Sequence, residues 1–346
     1  MNFFLKNSQA FIKTPGVFFL CLLLVLFSCS SPDKPIETPA SNSGTEVRQP
    51  VVTVPVFNED SAYSYVQKQV DFGPRVPNSK AHAACADYLV AEFKKFTSSV
   101  MMQKGTVRTY DGVNLDMKNI IASFNPENKQ RVLLFAHWDT RPWADHGTER
   151  RNEPNLGADD GASGVGVLLE IARQFSIQAP TIGVDIILFD AEDWGKSGGG
   201  PESEDSYCLG AQYWTKNLHV PGYTAEYGIL LDMVGGRNSK FRMEGNSKQF
   251  ASFVLEKVWK TGVNLGFSDY FIFQDGGWIT DDHVYVNRIN IPSIDIIASD
   301  ASSGTGFPNH WHTHADNMDV IDKRTLKAVG QTVMHVVYSE NTGGAF

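Results

Sequence analysis

Four places in this chain, where an apolar run stops or a helix begins, carry histidine or carboxylate side chains. No other feature of the sequence restricts the fold as much. Residues 131–137 are an apolar run ending on His137, with Asp139 just beyond. Residues 184–190 are a second run, followed by Glu192 and Asp193. A third, 227–234, contains Asp232, and Asp160 opens a helical stretch at 160–175 that follows a strand. Short continuous apolar runs read as buried strands. Strands alternating with helices predict a mainly parallel sheet covered on both faces. Ligands bind such sheets at the carboxyl ends of the strands. One Asp after a strand is ordinarily a cap or turn residue, but four ends carrying His or carboxylate are hard to explain as caps.

Further strands are expected at 119–124 and 291–297, and helices at 60–70, 81–96, 248–259 and 326–340. The sequence shows no internal repeat and no second domain. The fold class expected is α/β: a single domain with a mostly parallel central sheet flanked by helices.

The first part of the 346-residue chain does not share this pattern. An apolar run at 18–27, with Lys6 and Lys13 upstream, has the plan of a signal peptide and is too short for a comfortable membrane span. It closes on Leu26-Phe27-Ser28-Cys29, which resembles the lipobox of bacterial lipoproteins. That resemblance implies cleavage before Cys29 and lipidation of its thiol. A Ser/Pro/Thr-rich stretch follows that cannot bury a core and reads as a tether. The organisation expected is a signal peptide at 1–28, a tether at 29–55 and a folded domain at 56–346. The protein would be exported to the periplasm or cell envelope, touching the membrane only through the lipid at Cys29. A formal charge of −9 argues against nucleic acid as a partner. Of four cysteines, only Cys85 and Cys208 fall in the folded part. A disulfide between them and two separate buried thiols are both open.

Five segments carry the chemistry: His137-Trp138-Asp139, Gly157-Ala158-Asp159-Asp160-Gly161-Ala162-Ser163-Gly164-Val165, Phe189-Asp190-Ala191-Glu192-Asp193, Leu231-Asp232-Met233-Val234-Gly235 and Trp311-His312-Thr313. Carboxylate and imidazole ligands suit zinc, and a catalytic zinc keeps one position open. It also needs a neighbouring carboxylate that moves protons. Glu192 and Asp193, adjacent at a strand end, are placed to divide those tasks.

In this order the five segments resemble the zinc aminopeptidase superfamily, from about residue 82 to the C-terminal helix. The superfamily contains two-zinc aminopeptidases and one-zinc glutaminyl cyclases. Trp311-His312-Thr313, the segment Ile279-Thr280-Asp281-Asp282-His283, the run ending in Asp316-Asn317, and Trp194 after the carboxylate pair look more like the cyclases. The resemblance implies one Zn2+ per chain on Asp160, Asp193 and His312, with Glu192 transferring protons. Asp232 and Asp281 would form a carboxylate pair, and Trp194 and Trp311 would wall the pocket. The substrates implied are peptides and proteins beginning with Gln, cyclised to pyroglutamate with release of ammonia by a monomeric enzyme. The alternative is a two-zinc aminopeptidase, in which His137, Asp139 and Asp232 hold the second metal. The chain departs from the family at Asp193, where animal cyclases and most aminopeptidases carry Glu, at the close spacing of Trp194, and at Asp295, where cyclases often have His.

Other residues carry plainer expectations. His137 and Asp139 would support the site from behind the ligands. Asp159 would be a helix cap or a solvated neighbour, Asp190 structural, and His310 and His314 loop surface. Trp138, Trp143 and Trp214 would be packing residues. The stretch Gly198-Gly199-Gly200-Pro201, with Glu202, Glu204 and Asp205, would be a mobile acidic surface loop, either bordering the pocket or simply solvated. A non-catalytic binding lipoprotein is disfavoured because the ligands and Glu192 are all retained.

Overall fold

The computed structural model describes residues 53–340. The signal peptide at 1–28, Cys29 and the tether up to residue 52 lie outside the described residues. The chain opens with two helices, α1 (Glu59–Val70) and α2 (Lys80–Phe96), then a hairpin of β1 (Ser99–Arg108) and β2 (Asn114–Phe124). The site-bearing core follows as β3 (Arg131–His137), α3 (Ala162–Ile177), β4 (Gly183–Phe189), α4 (Pro201–Glu204), α5 (Leu209–Lys216) and β5 (Gly228–Asp232). A short parallel pair, β6 (Phe241–Met243) and β7 (Phe271–Asp275), brackets α6 (Gly245–Asn264). The last elements are α7 (Asp282–Arg288), β8 (Ser293–Ile297) and α8 (Lys323–Ser339).

The six-stranded sheet has the order β1-β2-β4-β3-β5-β8. β4, β3, β5 and β8 are parallel, and every residue in them is buried. Burial on both faces is why these strands are continuous apolar runs. β2 and β1 are antiparallel, so the sheet is mixed at that edge. The connection 109–113 is too short for a parallel crossover and contains Gly112 at φ +88°. β1 gave no sequence signal because it is a half-exposed strand with no continuous apolar run.

α3 crosses the sheet centre. It starts two residues later than its apolar pattern suggests, so Asp160 lies in the preceding turn rather than in the helix. A Cβ on Gly164 would lie 2.2 Å from the Leu231 carbonyl of β5, and one on Gly166 would lie 2.6 Å from Val66 of α1. Those glycines let the helix pack closely enough to carry its N-terminus to the strand ends.

Cys85 and Cys208 are both free and buried. They sit in separate core clusters, built from alternate residues of the same strands (Ile120 against Ile121, Leu134 against Leu133), and so on opposite faces of the sheet. Trp138 and Trp214 are fully buried packing residues, Trp138 stacking on His82 at 4.4 Å.

Glu244, fully buried, is a junction that pattern reading missed. Its carboxylate accepts the N–H groups of Asn246, Ser247 and Ile279 and contacts His283 Nε2 at 3.2 Å. It thereby caps α6 and ties it to the segment entering α7. Burial favours the neutral acid, but His283 and the backbone donors hold the Glu244 carboxyl down at about 2 against an ordinary 4.5. A depressed folded pKa gives stability that is complete above the unfolded value and lost as pH falls through the folded one. Glu244→Gln is therefore expected to cost roughly 2 to 3 kcal/mol at neutral pH. The gap to the parent should narrow as pH falls from about 4.5 to about 2. Urea unfolding across that range checks it.

Candidate metal and catalytic site

A cavity of about 610 Å³ opens at the carboxyl ends of the parallel strands. Asp160, Glu192, Asp193, Asp232, Asp281 and His312 line it together, so six of the eight side chains singled out in the sequence converge there. Trp311 is a seventh, stacked on His312 with centroids 3.7 Å apart. Trp194 is the exception: it is not among the lining residues. It packs edge-on against Trp143 at 5.6 Å and its Nε1 lies 3.4 Å from Asp111. Trp278, 69 % exposed, lines the cavity instead. An aromatic directly after Gly276-Gly277 and before the 279–283 segment was the available signal.

Three residues of the site have left-handed backbones, two just beyond strand ends and one in the loop after β8: Ala191 at φ +55°, Met233 at φ +47° and His312 at φ +54°. Non-glycine residues rarely adopt this conformation, and it clusters at functional sites. Here it turns the chain sharply beside Glu192, beside Asp232 and at the His itself.

Buried carboxylates hold these turns. Asp139 accepts the N–H of Glu192 at 3.0 Å and of Asp193 at 3.3 Å. Asp316 accepts the N–H of Asp159 at 2.7 Å and of Asp160 at 3.2 Å. Asp159 accepts the N–H of Gly235 at 2.8 Å and binds His310 Nε2 at 2.8 Å. Asp159 is thus neither a cap nor solvated, and His310 is not loop surface, because the two form a strut between the Asp160 turn and the His312 loop. His314 faces the Arg150 carbonyl at 3.2 Å. Asp190 is structural, bound to His82 at 2.8 Å and to the Lys118 N–H at 2.6 Å.

Asp160, Asp193 and His312 bring ligand atoms within 4.8 Å of one another. His312 Nε2 is 3.1 Å from Asp193 Oδ1 and 3.6 Å from Asp160 Oδ2. Asp160 Oδ2 is buried without a hydrogen-bond partner among the described residues. An orphaned buried carboxylate oxygen is costly, and one facing an imidazole nitrogen and a second carboxylate fits a bound cation. The donor set, two carboxylates and a histidine, suits zinc. A second group, His137, Asp160 and Asp232, shares Asp160 with the first. There His137 Nε2 lies 3.0 Å from Asp160 and 3.3 Å from Asp232. Burial works against the charged imidazole, but the carboxylates of Asp139, Asp160 and Asp232 hold His137 protonated well above its ordinary range.

The remaining acids hold their protons more readily than ordinary carboxyl groups do. Burial pushes Glu192 well up, His137 opposes, and Asp281 and Asp193 add to the rise. Burial and the neighbouring Asp232 push Asp281 up to about 7, and burial takes Asp232 up to about 6. Carboxylates this close share protons rather than ionise together. The loop at 197–204 contributes Ser197, Gly198, Gly199, Ser203 and Glu204 to the cavity wall, so it borders the pocket.

Residues 119–337 match Peptidase family M28. The glutaminyl-peptide cyclotransferase of Drosophila melanogaster is 26% identical over 275 residues, covering 73% of either chain. A Zn-dependent exopeptidase of known structure from Parabacteroides distasonis is 56% identical with a TM-score of 0.81, covering 83% of this chain and 100% of that one. The glutaminyl cyclase of Bacteroides thetaiotaomicron, solved with N-acetylhistamine bound, is 54% identical with a TM-score of 0.81, covering 84% of this chain and 100% of that one.

Replacing Asp139 by Asn puts an amide NH2 where one of the two backbone N–H groups now finds an acceptor. Asp139→Asn is expected to weaken zinc binding by about 10- to 100-fold, measured by competition with a chromophoric chelator.

Proposed function

The chain belongs to peptidase family M28, and we propose that within it the protein is a zinc-dependent glutaminyl cyclase, converting N-terminal glutamine of peptides and proteins to pyroglutamate with release of ammonia. The observation that carries this reading is Asp281. It lies within 4.8 Å of Glu192 in the cavity and belongs to neither of the groups built on Asp160. A peptidase needs a metal site and one proton-transferring carboxylate. A second carboxylate beside Glu192, poised near 7, suits a reaction in which an amine must be held while it loses one proton.

Asp160, Asp193 and His312 would hold the zinc. Bound there, it supplies Lewis-acid polarisation of the substrate's γ-carbonyl. Glu192 takes a proton from the α-amine as its nitrogen bonds to the γ-carbon. Glu192 then gives that proton to the departing amide nitrogen, the C–N bond breaks and ammonia leaves. Attack within one side chain needs no second reactant, so the pocket's task is to fold that side chain and exclude water. Trp311, Phe307 and Ile279 provide apolar wall for this. Asp281 and Asp232 accept hydrogen bonds from the amine.

We propose one zinc per chain, on Asp160, Asp193 and His312, with His137 Nε2, 3.0 Å from Asp160 and 3.3 Å from Asp232, steadying those carboxylates rather than binding a second metal. The second group itself, His137, Asp160 and Asp232, favours the alternative of a two-zinc aminopeptidase. The lipobox-like segment ending at Cys29 supports an exported, lipid-anchored protein acting on chain ends in the periplasm or cell envelope.

A Gln-initiated peptide incubated with the enzyme should lose the mass of one ammonia, a conversion abolished by chelation and restored by zinc. Loss of the whole glutamine residue, with two metals per chain, would establish the aminopeptidase instead. Glu192→Gln is expected to lower kcat by about 10²- to 10⁴-fold while metal analysis shows zinc retained.

A further inference from the structure

Cys208 is fully buried, makes no disulfide and has no place in the chemistry above, yet it lies against Glu192. Its Sγ is 3.2 Å from Glu192 Oε1. Its N–H donates to the Glu192 carbonyl at 2.9 Å, and the next N–H, of Leu209, donates to the Ala191 carbonyl at 3.0 Å. The entry to α5 is thus laced along the turn that presents Glu192. Cys208 sits there with a left-handed backbone, φ +58° and ψ +33°, where glycine or asparagine would be the ordinary choice. A side chain kept at such a position, buried and aimed at one carboxylate oxygen, is explained by what it does to that carboxylate. Among the described residues, no other hydrogen bond reaches the Glu192 carboxyl group.

We propose that Cys208 is a positioning residue for Glu192: its S–H donates to Oε1 and fixes the carboxyl orientation, leaving Oε2 to face the substrate. This rests on the reading of Glu192 as the proton-transferring group. A thiol suits the task because it is a weak donor. It orients the carboxyl group without competing strongly for the electron pair that must accept the substrate's proton, and its bulk keeps water from the far side of the carboxylate.

The hydrogen bond is tested without turnover by the infrared S–H stretch of the zinc-loaded full chain. Subtracting the spectrum of Cys208→Ala or of Cys208→Ser isolates the Cys208 band, so either variant serves if the other folds poorly. The band is expected below the frequency of a free thiol and should rise in Glu192→Gln, because an amide is the weaker acceptor. A band that does not respond to Glu192→Gln overturns the proposal, whatever reaction the enzyme catalyses. Kinetics then test positioning. Cys208→Ala should lower kcat about tenfold, with KM within about twofold and zinc content unchanged. Cys208→Ser, which keeps a donor, should recover most of that loss. Unchanged kcat in Cys208→Ala, or equal losses in the Ala and Ser variants, overturns it. If the parent enzyme makes no pyroglutamate while the band behaves as expected, the cyclase reading fails and the hydrogen bond stands.

Discussion

The Asp139 carboxylate accepts the backbone N–H groups of Glu192 and Asp193 together, and the site is built outward from that contact. A buried N–H must find an acceptor, and a buried carboxylate must find donors. Each here satisfies the other, and the turn after β4 gains a defined shape. Asp316 does the same for the turn carrying Asp160. Asp159 links that turn to Gly235 beyond β5 and to His310 on the last loop. Arg141 adds a cation, donating to the Asp193 carbonyl at 2.9 Å. The metal-binding side chains come from distant parts of the chain, and this shared frame sets their spacing.

The same frame concentrates negative charge. Asp160, Glu192, Asp193, Asp232 and Asp281 share one cavity floor, with Asp282 and Asp295 fully buried nearby. So many carboxylates cannot all ionise without counter-charge. Burial pushes Glu192, Asp193, Asp232 and Asp281 upward, while His137 and His312 draw against that rise. Asp160 is the one held below its ordinary range, because His137 overcomes its burial. The electrostatic cost is tolerated where a cation and movable protons are needed, and cores elsewhere in the fold are apolar. Asp160 is therefore the most readily charged of the three ligands, and the raised carboxyl of Glu192 suits a group that must both take and give a proton.

The ends of the parallel strands, the chemistry of the ligand set and the helix after Asp160 were legible in the sequence. Continuous apolar runs report burial on both faces, and an acid that closes such a run has little other reason to be there. The likeness to the cyclases implied a supporting role for Asp139, and Asp190 was read as structural. Asp159 and His310 were misjudged, because each is satisfied by a partner about 150 positions away. Glu244 was missed for the same reason, since a Glu before a helix reads as an exposed residue until Ile279 and His283 are brought against it.

The residue types of this chain determined by themselves that an α/β sheet would gather carboxylates and a histidine at one edge, since period and burial are local properties. Which aromatic walls the cavity was decided only by the tertiary structure: Trp194 adjoins Asp193 in sequence but turns toward Trp143, while Trp278 reaches the pocket from a remote loop. The fate of the cysteines was decided the same way. Composition left pairing open, and the sheet between them placed Cys85 in one core and Cys208 against Glu192. Side-chain direction in the site depends on backbone turns such as those at Ala191 and His312. Those turns are held by hydrogen bonds to distant segments, and no local pattern encodes them.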